Sequence, residues 1–149
     1  MTEHPLKPAD RVEITVLVDN YTDVLMNTSS TPVDRRLPYN PDRHILAEHG
    51  LSCLVKVFSR KKEHAILLDA GLSAECLPRN ACQMRISLAG IEAVVLSHGH
   101  YDHTGALDCV VSGAGRQIPL IAHPDAFLPR RRNVPGKGIF NQRFPDAVA

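Results

Sequence analysis

"LSHGHYDHTG", residues 96–105, places three histidines and one aspartate in the six positions from His98 to His103. Packing alone does not ask for such a cluster. The preceding run "EAVVLS" (92–97) is apolar without interruption at its centre, the pattern of a strand buried on both faces. The polar groups therefore stand at the carboxyl end of an interior strand, where open α/β sheets bind their ligands. In an extended loop His98 and His100, two apart, point to one side and can chelate a cation. Asp102 and His103 lie in the next turn, entering a helix, and can converge on a second position. Two-metal hydrolytic sites hold their ions about 3.5–4 Å apart. Imidazole suits zinc, iron and related metals, and a carboxylate offsets their charge. Uncompensated, the crowding would cost stability through repulsion and desolvation. Metal binding is the purpose this pattern implies. Gly99 and Gly105 are small where the backbone must bend around the site, and Thr104 can cap a helix with its hydroxyl.

Working outward, "RVEITVLV" (11–18) alternates, with Val12, Ile14, Val16 and Val18 on one face of a half-buried strand. From Tyr21 to Arg43 the pattern gives way to a long polar loop containing Pro32, Pro38 and Pro41, with a short helical turn around Val24 to Met26. Loops of that length are often functional covers. "LSCLVKVFSR" (51–60) reads as a strand, "KKEH" (61–64) as a turn and "AILLDAG" (65–71) as the returning strand of a hairpin. Pro78 suits the start of a helix, which predicts one from Leu77 to Met84. "TGALDCVVSGAG" (104–115) predicts a helix with Thr104 near its start and Gly113 or Gly115 at its end. "IPLIAH" (118–123) predicts a last short strand ending at His123. A hairpin followed by strand–helix–strand crossovers implies a mixed sheet with helices over it, an α/β layered domain.

A length of 149 residues suits one domain, 1–149, with one core. The 44% hydrophobic and 22% charged residues argue against disorder. A net charge of +1 gives no overall field pointing to nucleic acid or a membrane. No apolar run approaches the roughly 20 residues that span a bilayer, and the N-terminus lacks a signal-peptide core. A cytoplasmic location is the expectation. Cys53, Cys76, Cys82 and Cys109 are spaced as free thiols and not as a zinc set or a disulfide framework. Neither Ser97 nor Cys109 has the setting of a nucleophile. Tyr101 reads as a packing residue of the loop. The basic cluster Arg130, Arg131, Arg132 and Lys137 reads as a solvated tail, with an anion held near the site mouth as the alternative. Too few aromatic residues accompany it for a nucleic-acid surface.

"HGHYDHTG" resembles the signature of the metallo-β-lactamase fold hydrolases. The stretches "ITVLVDN" (14–20), "AEHGLS" (47–52), "LLDAG" (67–71) and "IAHPDAF" (121–127) extend the likeness to a branch that includes the dihydropterin ribofuranosyl-aminobenzene phosphate synthase-like proteins. The resemblance implies an αββα sandwich, of which this chain matches the N-terminal half, a mixed sheet with helices on one face. It implies that His98 and His100 bind a first metal and Asp102 and His103 a second. Zinc is the expected ion, with iron or manganese as alternatives. Asp69 would lie beneath the site and accept the other N–H of a ligand imidazole. Asp102 would also be catalytic, orienting the attacking water. His49 and His123 are candidates for substrate contact, and Asp19 and Asn20 for the site edge.

The further ligands of the fold lie in its second half, which nothing after "AHPDAF" matches. Three readings follow. One is a metal-dependent hydrolase acting with a metal-activated water on an ester or phosphoester-like bond of a small, anionic substrate. A second is a truncated, non-catalytic remnant that binds metal weakly or needs a complementary chain or a second copy. The third is a pterin-pathway synthase-like activity. In the incomplete fold the inner face of the sheet would be an apolar patch prone to association.

Overall fold

The alternating "RVEITVLV" forms β1 (Arg11–Val18) of a five-stranded sheet. The computed structural model describes residues 7–23, 25, 30, 32–33, 40–142 and 144. β2 (Ser52–Ser59) and β3 (Lys62–Leu68) follow as a hairpin, then β4 (Ala93–Val95) and β5 (Leu120–Ile121). The strands lie side by side in chain order. β1, β2 and β3 pair antiparallel; β3, β4 and β5 pair parallel. This is the mixed α/β sheet that the sequence predicts. The helical turn expected at Val24 to Met26 lies outside the described residues.

The hairpin turn is tighter than expected. Lys62, Glu63 and His64 are not a turn but pair with Ser59, Phe58 and Val57. Arg60 and Lys61 alone reverse the chain, both at positive φ (53° and 151°). Charged side chains tolerate a strand here because this end of the hairpin is solvated, and Glu63 meets Lys56 across the pair at 2.5 Å.

Helix α1 (Cys76–Gln83) starts one residue before the predicted position. Pro78 occupies its first turn, where a backbone N–H has no intrahelical acceptor to lose. The helix predicted from Thr104 is instead two: α2 (Tyr101–Thr104) and α3 (Leu107–Ala114). The break has a definite cause. The N–H groups of Gly105 and Ala106 donate to the carbonyls of Gly71 (2.8 Å) and Ala70 (3.3 Å), beyond the end of β3. Thr104 is therefore not an N-cap. It ends α2, and its hydroxyl donates to the His100 carbonyl at 3.1 Å. Gly115, at φ 63°, ends α3 in the left-handed conformation.

The helices cover one face of the sheet. Leu17, Leu54, Leu67 and Val94 pack there with Leu77, Ile91, Leu107 and Val110. Sheet register places Val12, Ile14 and Val16 on the opposite face, where they are 51%, 66% and 49% exposed, together with Ile121. That open apolar face is what half of a two-sheet sandwich would present. The basic segment is not a plain tail. β6 (Arg130–Val134) and β7 (Gly138–Gln142) form a separate antiparallel hairpin. No helix among the described residues is long and apolar enough to cross a membrane.

Buried thiols follow from this packing. Burial pushes the Cys76 thiol up from 9.0 to about 11, assisted by the Glu48 carboxylate. Burial, then Asp69 and Asp19, also raises Cys53. Cys82 is exposed. Iodoacetamide at pH 8 is expected to label Cys82 in the native protein and to reach Cys53 and Cys76 only on unfolding, as read by mass spectrometry. The Cys76 contribution to stability is intact below pH 9 and is lost as pH rises towards 11, because the unfolded chain ionises first.

Candidate metal centre

Three segments converge at the carboxyl ends of β3 and β4. The first is Asp69, just past β3. It is fully buried and sits at φ 58°, a conformation that aspartate tolerates better than most residues. Its carboxylate accepts from the Ser97 backbone N–H (2.8 Å), the Ser97 hydroxyl (2.7 Å) and His103 Nδ1 (2.7 Å). The second is the loop from Ser97 to His103. The third is the segment before β2 that carries His49. Asn80 on α1 holds that segment through Leu46, accepting from its N–H (2.8 Å) and donating to its carbonyl (2.9 Å). Glu48 anchors it again by accepting from Leu72 and Ser73 N–H groups, each at 3.0 Å.

The hydrogen bonds dictate tautomers. Asp69 can only accept, so His103 donates from Nδ1 and keeps the lone pair of Nε2. The Ser97 hydroxyl gives its proton to Asp69, so His98 Nδ1 donates to it (2.9 Å) and His98 Nε2 is left with its lone pair. His98 Nε2 lies 3.0 Å from His100 Nδ1. Two nitrogens on a tetrahedral zinc stand about 3.3 Å apart, so this pair is set for one ion with a small opening. Asp102 Oδ2 lies 3.5 Å from His103 Nε2 and forms the second pair. The His98 ring sits 4.1 Å, centroid to centroid, from that of His103. Burial, then the neighbouring His103 and His100, lowers the His98 pKa, which favours the neutral imidazole that a metal needs. Among the described residues, however, no group of three or more such side chains converges on a single point. The donors fit a metal as two pairs, each short of a full ligand set.

The other expected residues are placed as follows. His49 Nε2 approaches Asp102 Oδ2 at 3.3 Å, beside the cluster, with its side chain largely exposed. His123 follows β5, is exposed, and accepts from the Asp125 N–H at 3.2 Å, away from the histidine cluster's own contacts. Asp19 is exposed and bonds the next residue, Asn20, in a local turn (2.7 Å). Tyr101 does not pack inward; it is 39% exposed beneath Arg132. Ser97, Glu48 and Asn80 were missed. Ser97 joins Asp69 to His98, and the other two fix the His49 segment. Nothing in the one-dimensional pattern marks them, because their partners lie 24 to 34 residues away or depend on the fold of the loop.

The histidine–aspartate cluster stands at the parallel strand ends of an α/β sheet, where open α/β sheets bind their ligands. The beta-lactamase superfamily domain matches residues 64–138, half of the chain, and the chain belongs to that family. It is 37% identical over 81 residues to the 7,8-dihydropterin-6-methyl-4-(beta-D-ribofuranosyl)-aminobenzene-5'-phosphate synthase of Methanocaldococcus jannaschii, covering 54% of this chain and 28% of the relative. It is 35% identical over 88 residues to an uncharacterised protein of the same archaeon, covering 59% and 32%. The chain thus spans less than a third of the length of the curated relatives it matches. Among solved structures it is similar to the Rm3 metallo-beta-lactamase at 24% identity and a TM-score of 0.42, over 54% of this chain and 28% of that one.

Proposed function

We propose that this chain supplies one half of the active centre of a metal-dependent hydrolase. His98 with His100, and Asp102 with His103, would hold two divalent ions, most naturally zinc. The observation that carries the reading is the fully buried Asp69 carboxylate, which orients His103 directly and His98 through Ser97. A solvated histidine loop would have no use for it. A divalent ion held there supplies Lewis acidity and an acidified water for attack on an ester or phosphoester. The chain's own part is to present neutral imidazoles in fixed tautomers. Asp102, only partly exposed and with Oδ2 near both His49 and His103, would orient the attacking water while binding metal.

Two observations favour a complemented site. Each pair offers two ligands where zinc sites take three or four, and the apolar face of the sheet has no cover among the described residues. In this reading a complementary segment or chain provides both the missing ligands and the second sheet. The archaeal synthase relative supports a further reading, in which the same centre serves pterin-pathway synthase-like chemistry on a phosphate-bearing substrate.

Metal content of the purified chain by plasma mass spectrometry, with turnover of bis(p-nitrophenyl) phosphate, tests the reading. Stoichiometric zinc that is lost in His98→Ala supports it. Metal at the buffer level, with turnover equal to buffer, both in the chain alone and after a chain carrying the second half of the fold is added, leaves only the non-catalytic remnant.

A further inference from the structure

The β6–β7 hairpin carries Arg130, Arg131, Arg132 and Lys137 and no acidic residue. Its arginines have different fates. Arg130 is used structurally: its guanidinium donates to the carbonyls of Gly99 (2.7 Å), Ala126 (2.8 Å) and Asp125 (2.9 Å). Gly99 lies between His98 and His100, so Arg130 clamps the hairpin onto the histidine loop. Arg132, two residues on and therefore on the same face, has no carboxylate partner among the described residues. Its guanidinium stands 5.8 Å from the centroid of the Tyr101 ring, and Tyr101 separates His100 from Asp102. A pocket of about 280 Å³ opens there, lined by Tyr101, Arg132, Phe140, Asn141 and Gln142. Gln142 Nε2 is buried and lacks a hydrogen-bond partner among the described residues. An amide N–H buried without an acceptor is unfavourable and calls for one.

The pocket thus offers a guanidinium and two aromatic rings, and the unsatisfied, buried Nε2 belongs to Gln142, a residue that lines it. We propose that it is a subsite for the oxyanion arm, phosphate or carboxylate, of an aromatic substrate, held by Arg132 and Gln142 beside the metal cluster. Arg132 makes charge-assisted bonds to the anion, Gln142 Nε2 gains its acceptor, and Tyr101 and Phe140 flank the ring. The assignment rests on the hydrolase reading for its purpose, since the anchored arm would present its ester to the histidines. The binding itself does not require the metal.

Calorimetric titration with phenyl phosphate, benzoate and phenol, in EDTA and again with zinc, tests this. Binding of either anion in EDTA is expected, with phosphate and carboxylate distinguished by their relative affinities, and phenol is expected to fail. Arg132→Ala should weaken the binding by about tenfold or more. Arg131→Ala, on the opposite face of the hairpin, should leave it unchanged. Gln142→Leu should raise the melting temperature of the free protein while reducing the shift that phenyl phosphate induces. Equal binding by wild type and Arg132→Ala, or binding of phenol as tight as that of phenyl phosphate, overturns the subsite. Phenyl phosphate binding only with zinc, indifferent to Arg132, also overturns it but leaves the metal reading standing. Zinc failing to bind, even with the complementary half supplied, while the EDTA titration succeeds sinks the metal reading alone.

Discussion

Asp69→Ala is expected to lower zinc affinity by about 10- to 100-fold, the usual effect of removing the carboxylate behind a ligand histidine. The carboxylate receives three hydrogen bonds, from Ser97 N–H, Ser97 Oγ and His103 Nδ1. Alanine removes the acceptor that all three share; the half-buried His103 N–H loses its partner, while the exposed Ser97 can turn to water or to His98 Nδ1, so the stability cost should be about 1–3 kcal/mol. The two effects can be separated. Asp69→Asn keeps the size of the side chain but replaces one accepting oxygen with a donor. That donor faces either the Ser97 N–H or the His103 N–H, so one of them must turn away. The tautomers report the damage directly. Nitrogen-15 NMR of the wild type should show His103 protonated at Nδ1, and the Asn variant should lose that preference while still folding. A wild-type His103 protonated at Nε2, or unchanged zinc affinity in Asp69→Ala, would remove the physical basis of the proposed centre.

The site's first ring of residues was legible because its signal is local. Four donor side chains fall within six positions behind an apolar strand, and the chain cannot scatter them far. Asp69 was legible only through its family likeness. Gly71, two residues later, also adopts a positive φ, but it is the positive φ of Asp69 itself that swings its carboxylate under the loop. The mixed character of the sheet was legible because a hairpin followed by strand–helix–strand crossovers implies it; the strand order was not stated by the pattern. Boundaries set by tertiary hydrogen bonds were not. The periodicity of "TGALDCVVSGAG" contains no sign that Gly105 and Ala106 give their N–H groups to Gly71 and Ala70 instead of to a helix. The basic hairpin was hidden for a similar reason. "RRRNVPGKGIFNQ" has the composition of a tail, and only the Arg130 clamp onto Gly99 shows what fixes it.

Gly105→Ala should be the most damaging small substitution in the chain outside the ligands, and the reason is not backbone freedom. Gly105 has φ −65° and ψ −30°, values any residue adopts, so its smallness, expected where the chain bends between α2 and α3, is needed for space and not for backbone freedom. What it serves is close approach. A Cβ at this position would lie 1.8 Å from the Leu72 carbonyl oxygen and 2.4 Å from its carbon, both backbone atoms. Neither side can retreat cheaply. Gly105 is tied to Gly71 by its own N–H, Ala70 N–H is tied to the His103 carbonyl (2.8 Å), and Leu72 is held by Glu48. Relief of the clash must pull the β3 turn away from the histidine loop and separate Asp69 from His103. Destabilisation of about 3 kcal/mol or more is expected, with loss of zinc binding in whatever remains folded. Gly113→Ala provides the comparison. It lies inside α3, and its Cβ would meet only the Leu88 side chain, at 3.6 Å, so helix propensity should dominate and stabilise by about 0.5–1 kcal/mol. Urea midpoints of the two variants should therefore move in opposite directions. A Gly105→Ala variant as stable as the wild type would mean that the strand turn and the histidine loop do not touch as described, and the link from Asp69 to the cluster would fall with that contact.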